Sequence, residues 1–438
     1  MATKYIVTGG YKLNGEISVQ YSKNIAMKLL MNPLLVEGEY LIKNIPRITS
    51  TFNLIKILEF FGCVCSWKSN HDVFVDSRNL NPNAVMSDET FSHTSSAILA
   101  VQILVGRFGK CVFEKKDLEN IGGDRIGSRQ FQITIDAVKN YGISVDIKNE
   151  TIIFTRINQE GFEQIIPDES YGISVGALYS ALFKESNSRI TGITKQPDFK
   201  IILQNLKQMG VKYTLEENEL IVEPFKPDTA KFELVNISDW HDFATLVFMG
   251  IITESSLRIN NFNFEYMAGD VMVDYLTRLG VAFTCQGTSF LLHKNKLQSL
   301  RPIDIIASVT PSFMTEWQVL ISALLTQING YSHIAELWFT DRMSHWNELK
   351  KMGANFTYLP NRQSRQNKPF VVRVLGRSKL VGTTVTAENL RSGAVLIMAA
   401  LVAEGKTDIL GVEHIERGYD NLVQRLNNIG AHIEVRTI

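Results

Sequence analysis

The alternation of apolar and polar residues repeats along this chain in units of roughly seventy residues. In each unit, a stretch with helical apolar spacing ends in a hydrophobic residue and a glycine, and an alternating, strand-like stretch follows. The repeated glycines, 68 to 80 residues apart, are Gly62, Gly142, Gly210, Gly280, Gly353 and Gly430. Glycine takes positive φ without a Cβ clash, so each is predicted to follow the last turn of a helix.

A second, more apolar helix is predicted between successive glycines, as in SVGALYSALF and SGAVLIMAALV. Each of these helices is followed by another strand-like stretch. The pattern therefore predicts an α/β protein of six repeated units. Because 438 residues exceed what one hydrophobic core usually serves, we expect two domains of three units each.

Composition excludes some classes of partner. Lys plus Arg and Asp plus Glu both total 45, which argues against binding nucleic acid or an acidic membrane through bulk charge. The longest apolar run, Ala394 to Ala403, is too short to span a bilayer. The beginning of the sequence lacks a signal-peptide pattern, and its four cysteines lack CxxC or zinc-ligand spacing. We expect a cytoplasmic protein without a metal.

Two basic residues stand at predicted helix starts. Lys23 and Arg391 oppose the helix dipole there, so an anionic ligand is expected beside them. Ordinary N-capping explains other polar residues at helix starts, with candidates Ser22, Ser174, Asp242 and Ser392.

Along nearly its full length the chain resembles the enolpyruvyl transferases. Within them it is similar to the UDP-N-acetylglucosamine enolpyruvyl transferases of peptidoglycan precursor synthesis. The segments that carry this resemblance are LNGEISVQYSKNIA, IGGDRIGSRQ, SVGA, FTDRM, ENLRSGAVL and HIERGYDNL, in this order.

The resemblance implies two inside-out α/β barrel domains, with the active site in the cleft between them. Residues 22–232 would form one domain, which carries the catalytic loop, and 1–21 with 233–438 the other. It also implies phosphoenolpyruvate as a co-substrate, no cofactor, and closure of a glycine-rich loop over bound substrate by induced fit. The oligomeric state stays open.

Phosphoenolpyruvate carries a phosphate and a carboxylate, so its site needs several fixed cations, preferably arginines. By resemblance, the residues that bind it are Lys23, Asn24, Arg129, Arg342, Arg391 and Arg417. Lys23 and Arg129 would hold mainly the phosphate, and the sequence does not divide the anionic groups among the others.

The resemblance also implies the catalytic groups, which are Asp124, Glu316, Lys23 and Arg417. Asp124, where the family commonly has Cys, would protonate C3, and Glu316, where it has Asp, would accept the hydroxyl proton. A loop-capping role for Asp124 and a plain helix-start role for Glu316 are the alternatives.

The acceptor side departs from the family pattern. The positions implied to contact the acceptor are Thr94, Gln130, Gln132, Ser174, Val175, Gly176 and Glu316. Thr94 replaces a family Arg, Gln130 and Gln132 lie in a rewritten uracil-binding stretch, and Gly172 replaces a Lys that contacts the diphosphate. These changes leave the acceptor open.

Aromatic residues near these motifs allow two interpretations. Phe131, Trp240 and Trp317 could stack on a base or sugar, but core packing is the favoured interpretation. His241 is interpreted as a structural histidine.

The leading hypothesis is enolpyruvyl transfer to a uridine nucleotide or nucleotide sugar, with UDP-N-acetylglucosamine as first candidate. The alternatives are a specialised paralogue acting on a nucleotide such as UMP in nucleoside-antibiotic synthesis, a 5-enolpyruvylshikimate-3-phosphate-forming enzyme, and a non-catalytic binding protein.

Overall fold

The computed structural model describes residues 2–81, 97–114, 131–148, 151–227, 230–264, 269–337, 339–360 and 371–437. The α-helices in this part of the chain are α1 Lys23–Leu29, α2 Thr49–Phe60, α3 Ala97–Phe108, α4 Phe131–Asn140, α5 Tyr171–Ala181, α6 Pro197–Gln208, α7 Trp240–Ile252, α8 Gly269–Leu279, α9 Thr315–Leu325, α10 His345–Lys351, α11 Leu390–Val402, α12 Glu413–Glu416 and α13 Leu422–Asn427.

The first twelve strands are β1 Thr3–Thr8, β2 Asn14–Ser18, β3 Glu39–Lys43, β4 Val64–Trp67, β5 Val73–Asp76, β6 Lys110–Glu114, β7 Ile143–Lys148, β8 Thr151–Arg156, β9 Glu163–Ile165, β10 Ser188–Thr191, β11 Tyr213–Glu216 and β12 Glu219–Val222. The others are β13 Lys231–Val235, β14 Ser256–Asn260, β15 Phe283–Gln286, β16 Ser289–Leu292, β17 Asp304–Ser308, β18 Phe313–Met314, β19 Gly330–Glu336, β20 Phe356–Leu359, β21 Val371–Gly376, β22 Thr384–Thr386, β23 Lys406–Leu410 and β24 His432–Thr437.

The strands of the described ranges form six small sheets. Their orders are β13-β3-β5-β4, β6-β8-β7, β11-β12-β10-β9, β15-β16-β14-β2, β18-β17-β19-β21-β20 and β22-β23-β1-β24. Every sheet contains two successive antiparallel pairings, and all but β6-β8-β7 add a parallel pairing at one side. The protein is therefore α/β, as predicted.

The repeated glycines have the backbone conformation that the sequence predicts. All six have positive φ, between 73° and 103°, and each follows a helix: Gly62, Gly142, Gly210, Gly280, Gly353 and Gly430. A Cβ at Gly62 or Gly353 would also lie within 2.7 Å of a backbone carbonyl oxygen. Conformation and space both require glycine at these two turns.

The chain separates into two compact units. Unit 1 holds residues 2–20 and the described residues from 238 to 437, and unit 2 the described residues from 21 to 237. Strand β1 pairs with β23 and β24, and β2 pairs with β14, so the first strands complete sheets of the C-terminal half.

In unit 1, helices α7, α9 and α11 pack against one another and are buried almost all round. Helices buried on every side need apolar residues on every side, which explains why most residues of these helices are apolar. Trp240 and Trp317 are 1% and 0% exposed, with ring centroids 5.6 Å apart in an edge contact. The preferred interpretation of these two tryptophans as core residues is confirmed.

The four cysteines are free thiols. Burial raises the pKa of Cys63 and of Cys111 to about 12, so both stay protonated. Within the described ranges, His, Cys, Asp and Glu side chains form no group of three suited to a metal ion. None of the helices in these ranges is long and apolar enough to cross a membrane.

Candidate active site

The buried helices of unit 1 begin at charged residues. Glu316 is the second residue of α9 and Arg391 the second residue of α11. Arg342, from the short 3-10 helix Thr340–Met343, donates to Glu316 with 2.7 Å between Nη2 and Oε1. Arg391 lies close enough to act electrostatically on Glu316. The structure thus brings together three predicted site residues, Glu316, Arg342 and Arg391, which we call the carboxylate–arginine cluster.

Arg342 is held by several partners. It donates to the hydroxyl of Thr315 as well as to Glu316. Its guanidinium lies over the Phe339 ring, 4.7 Å from the centroid, and Nδ1 of His345 donates to its backbone carbonyl at 2.9 Å. Only 6% of the residue is exposed, so its position is set before any ligand arrives.

The same contacts determine the protonation of Glu316. Burial alone would raise the pKa of this carboxyl, but Arg342, through its positive charge and its hydrogen bond, and the positive charge of Arg391 outweigh it. The pKa of Glu316 is therefore held well below its ordinary value. While paired with Arg342, Glu316 is a carboxylate that accepts a proton poorly.

Arg391 is a buried cation, 8% exposed, at a helix start where the dipole disfavours it. Burial would lower its pKa, but the Tyr419 hydroxyl and the carboxylates Asp239 and Glu316 hold the pKa of Arg391 above its usual value. Its Nη1 donates to Tyr419 Oη at 2.9 Å. The arginine therefore stays charged.

His241 lies buried beside this cluster, 2% exposed. Burial, and then the positive charge of Arg391, lowers the pKa of His241 to about 4. The imidazole is therefore neutral near pH 7. Its burial against the Trp240 ring, with centroids 4.9 Å apart, agrees with the structural role predicted for it.

Arg417 is the residue directly after the short helix α12, which it caps, and it is half-buried. The turn that follows it packs against the beginning of α11, where a Cβ at Gly418 would lie 2.5 Å from Leu390 Cδ2. This turn also carries Tyr419, the partner of Arg391. Arg417 and Arg391 are thus linked through one tightly packed turn of unit 1.

In unit 2, Lys23 and Asn24 are the first two residues of α1, and both are half-buried. Ser22 caps this helix by accepting from the Ile25 amide at 3.3 Å, as predicted. The side chain of Asn236 donates to the Ser22 carbonyl at 2.9 Å. These contacts fix the beginning of α1, where its amide groups and Lys23 favour an anion.

The predicted caps Ser174 and Asp242 were wrong by a few residues, since α5 begins after Ser170 and α7 after Asp239. Helix α11 begins after Asn389, and Ser392 takes part in its capping box by accepting from the Asn389 backbone amide at 2.9 Å. Asp239 accepts from the amides of His241 and Asp242, at 2.8 and 3.1 Å.

The predicted acceptor residues of unit 2 lie within α5 and are buried: Ser174, Val175 and Gly176. The Ser174 hydroxyl donates to the Ser170 carbonyl at 2.8 Å and accepts from the Thr194 amide at 3.0 Å. Gly172 is exposed, and a Cβ there would meet nothing within 4 Å. Their contact with an acceptor stays a prediction.

Several predicted residues fall outside the described part: Thr94, Asp124, Arg129 and Gln130. The side chains of Phe131 and Gln132, in the first turn of α4, are not described either.

Sequence reasoning missed Tyr419 as a partner of Arg391. The signal was its place two residues after Arg417 in HIERGYDNL. Its hydrogen-bond partner lies 28 positions away in the sequence, so no local pattern indicates the contact.

Comparison with known proteins defines the class: the protein is an enolpyruvyl (1-carboxyvinyl) transferase. The chain belongs to the EPSP synthase (3-phosphoshikimate 1-carboxyvinyltransferase) family, whose model matches residues 7–426.

Two similar proteins are the UDP-N-acetylglucosamine 1-carboxyvinyltransferases of Sulfurimonas denitrificans and Helicobacter hepaticus. Each is 29% identical to this chain; the matches cover 96% of both chains for the first and 98% for the second. The enolpyruvyl transferase NikO from Streptomyces tendae shares the fold with a TM-score of 0.86 at 19% identity, covering 100% of this chain and 99% of NikO. An EPSP synthase from Acinetobacter baumannii reaches 0.70 at 16% identity, covering 99% of this chain and 100% of that one.

Proposed function

We propose that this enzyme transfers the enolpyruvyl group of phosphoenolpyruvate to a hydroxyl of a uridine nucleotide or nucleotide sugar, with UDP-N-acetylglucosamine as first candidate. The observation that carries the proposal is the carboxylate–arginine cluster, in which buried Arg342 pairs with Glu316 at the start of α9 and buried Arg391, at the start of α11, acts electrostatically on the same carboxylate. Such a site suits a small polyanion beside a hydroxyl that must lose a proton. We place the reaction in the cytoplasm and infer that it needs no cofactor or metal.

The chemistry proceeds by addition and elimination. The acceptor oxygen bonds to C2 of phosphoenolpyruvate as its proton passes to Glu316, and C3 gains a proton from Asp124. The C2–O bond to phosphate then breaks, C3 returns its proton, and the double bond re-forms. Inorganic phosphate leaves, taking up the proton held by Glu316. Asp124 lies outside the described residues, so its role rests on the family resemblance.

The pairing of Glu316 with Arg342 bears on the first step. An anionic group of phosphoenolpyruvate that binds Arg342 competes with Glu316 for the same guanidinium. As the 2.7 Å pair weakens, the proton affinity of Glu316 rises and it becomes a better base. Binding of the co-substrate thus activates the base.

The fold is proposed to be two inside-out α/β barrels of three units each. Six small sheets and helices buried all round support it. That the active site lies in a cleft between the domains 22–232 and 1–21 with 233–438 stays a prediction.

A specialised acceptor is the second candidate, because the acceptor side lacks the family's cations. Gly172 leaves open space where the resemblance implies a lysine that contacts a diphosphate. A UMP-like nucleotide presents one phosphate group to be held rather than two, which favours it at such a site.

Phosphate release from phosphoenolpyruvate, measured with an acceptor panel, tests the proposal. The panel is UDP-N-acetylglucosamine, UMP, UDP and shikimate 3-phosphate. Release with one of the uridine compounds is expected. Release with shikimate 3-phosphate alone would reassign the acceptor, and nucleotide binding without any release would indicate a non-catalytic binding protein.

A further inference from the structure

One face of helix α7 is connected by hydrogen bonds to the turn that follows Arg417. The face is formed by Asp242 and Thr245, three residues apart and therefore neighbours along the helix surface. Both are 0% exposed. Neither was predicted to act in catalysis, and the proposed chemistry uses neither.

Asp242 holds the turn through two other residues. Its Oδ2 accepts from Arg425 Nη2 at 2.7 Å and from the backbone N–H of Gln20 at 2.9 Å. The Gln20 side chain in turn donates to the Gly418 carbonyl at 2.8 Å and accepts from the Asp420 amide at 2.8 Å. The residues on either side of Tyr419 are therefore fixed relative to α7.

Thr245 reaches the same turn by a chain of hydrogen bonds. Thr245 donates to the His241 carbonyl at 2.8 Å, and its Oγ1 lies 2.8 Å from Tyr419 Oη. A hydroxyl has one proton, so Tyr419 donates to Thr245 and its oxygen accepts from Arg391 at 2.9 Å. The chain runs Arg391 to Tyr419 to Thr245 to the α7 backbone.

We propose that Asp242, Thr245 and Tyr419 are positioning residues that hold Arg391 and Arg417 in the geometry that binds phosphoenolpyruvate. The inference rests on the proposed function, because the roles of the two arginines come from it. A long guanidinium side chain loses conformational freedom when it binds an anion, and a partner that fixes it beforehand reduces that loss. The hydrogen-bond chain through Tyr419 and Thr245, together with the contacts of Asp242, supplies such partners.

Helix α7 offers a matched control for Thr245. Thr253, at the other end of the helix, is 5% exposed, donates to the Met249 carbonyl at 2.7 Å, and lies 2.7 Å from the Ser255 hydroxyl. Thr245→Val and Thr253→Val remove the same group from equivalent surroundings. Only Thr245→Val breaks the chain to Arg391.

The test measures steady-state kinetics and phosphoenolpyruvate binding by calorimetry, on the full chain. Tyr419→Phe is expected to raise KM and Kd for phosphoenolpyruvate about tenfold, and Thr245→Val about threefold. KM for the acceptor should stay constant, and Thr253→Val should match the wild type. The Tyr419→Phe, Thr245→Val double variant should be no weaker than Tyr419→Phe alone, because both break one chain.

Equal phosphoenolpyruvate binding by Thr245→Val, Tyr419→Phe and wild type would overturn the inference. So would equal losses for Thr245→Val and Thr253→Val, since a general packing defect explains them. The Arg391→Ala variant distinguishes a failure of the positioning inference from a failure of the proposed function. If it binds phosphoenolpyruvate like wild type, the proposed role of Arg391 itself is wrong.

Discussion

The two units differ in how their predicted substrate residues are built. In unit 1, Glu316, Arg342 and Arg391 are charged, largely buried, and held by one another. In unit 2, Ser174 makes its hydrogen bonds within the unit and Gly172 presents no side chain. A buried charge that loses its partner is costly, whereas a small neutral residue is replaced easily. The charged residues Glu316, Arg342 and Arg391 of unit 1 are thus constrained by folding itself, whereas the small neutral residues of unit 2 are less constrained.

The largest expected effect is on turnover, for substitutions of Glu316, the proposed base. Glu316→Gln keeps the side-chain length and removes the proton acceptor, so kcat should fall by about 10²–10⁴-fold. Glu316→Asp is the control, because it keeps a carboxylate and carries the family's residue. Phosphate release measures both, and a Glu316→Gln enzyme with near wild-type kcat would exclude the base.

Next in size is the stability contributed by the buried pair. Arg342→Ala leaves Glu316 without its 2.7 Å partner and should destabilise unit 1 by about 3 kcal/mol. Lys43 and Glu233 of unit 2 are also 2.7 Å apart but exposed, so Lys43→Ala should cost about 0–1 kcal/mol. Urea unfolding gives both values, and equal costs would contradict the contrast between the units.

A smaller effect is expected at the acceptor side. Gly172→Lys extends into open space, and its added cation should tighten binding of UDP-N-acetylglucosamine about three- to tenfold. Gly172→Gln is the control, because it adds length without charge. Calorimetry of both variants decides the point. Equal affinities would mean that position 172 does not contact a diphosphate.

A pH dependence of stability is expected in unit 2. Lys184 is buried and donates to the carbonyls of Tyr141 and Asn158, at 2.7 and 2.8 Å. Burial, assisted by Arg156, lowers the pKa of Lys184 from 10.5 to about 8.

Between pH 8 and 10.5 the unfolded chain therefore holds a proton at residue 184 that the folded chain has released, so stability should rise with pH in this window. The rise should be smaller in Lys184→Met. Unfolding followed from pH 7.5 to 10.5 in both proteins measures the difference, and parallel curves would refute the shift.

Local patterns allowed much of the fold to be predicted. The φ values of the repeated glycines depend on one turn each, and the core positions of Trp240 and Trp317 follow from the general tendency of large aromatic side chains to pack in the core. Predicted caps failed where the choice lay among several polar residues, as between Asp239 and Asp242. Asp242 instead pairs with Arg425, a contact across 183 residues that no local pattern contains.

The sequence was enough to predict which residues belong to the candidate site, but not which of them contact one another. Family motifs selected Glu316, Arg342 and Arg391, which the structure brings together. They did not reveal that Glu316 and Arg342 bind each other, because a motif records which residues are present and not their partners. Tyr419 was missed for the same reason.

The pairing of β1 with β23 and β24 has a consequence for synthesis on the ribosome. Residues 3–8 are synthesised long before residues 406–410 and 432–437, which form the two strands that pair with them. The residues of unit 2 are synthesised in the interval, so we expect unit 2 to become protease-resistant on the nascent chain while β1 is still unpaired at both edges. Pulse proteolysis of stalled nascent chains measures this protease resistance. A chaperone that protects unpaired strand edges would have the longest time to bind β1 during this interval.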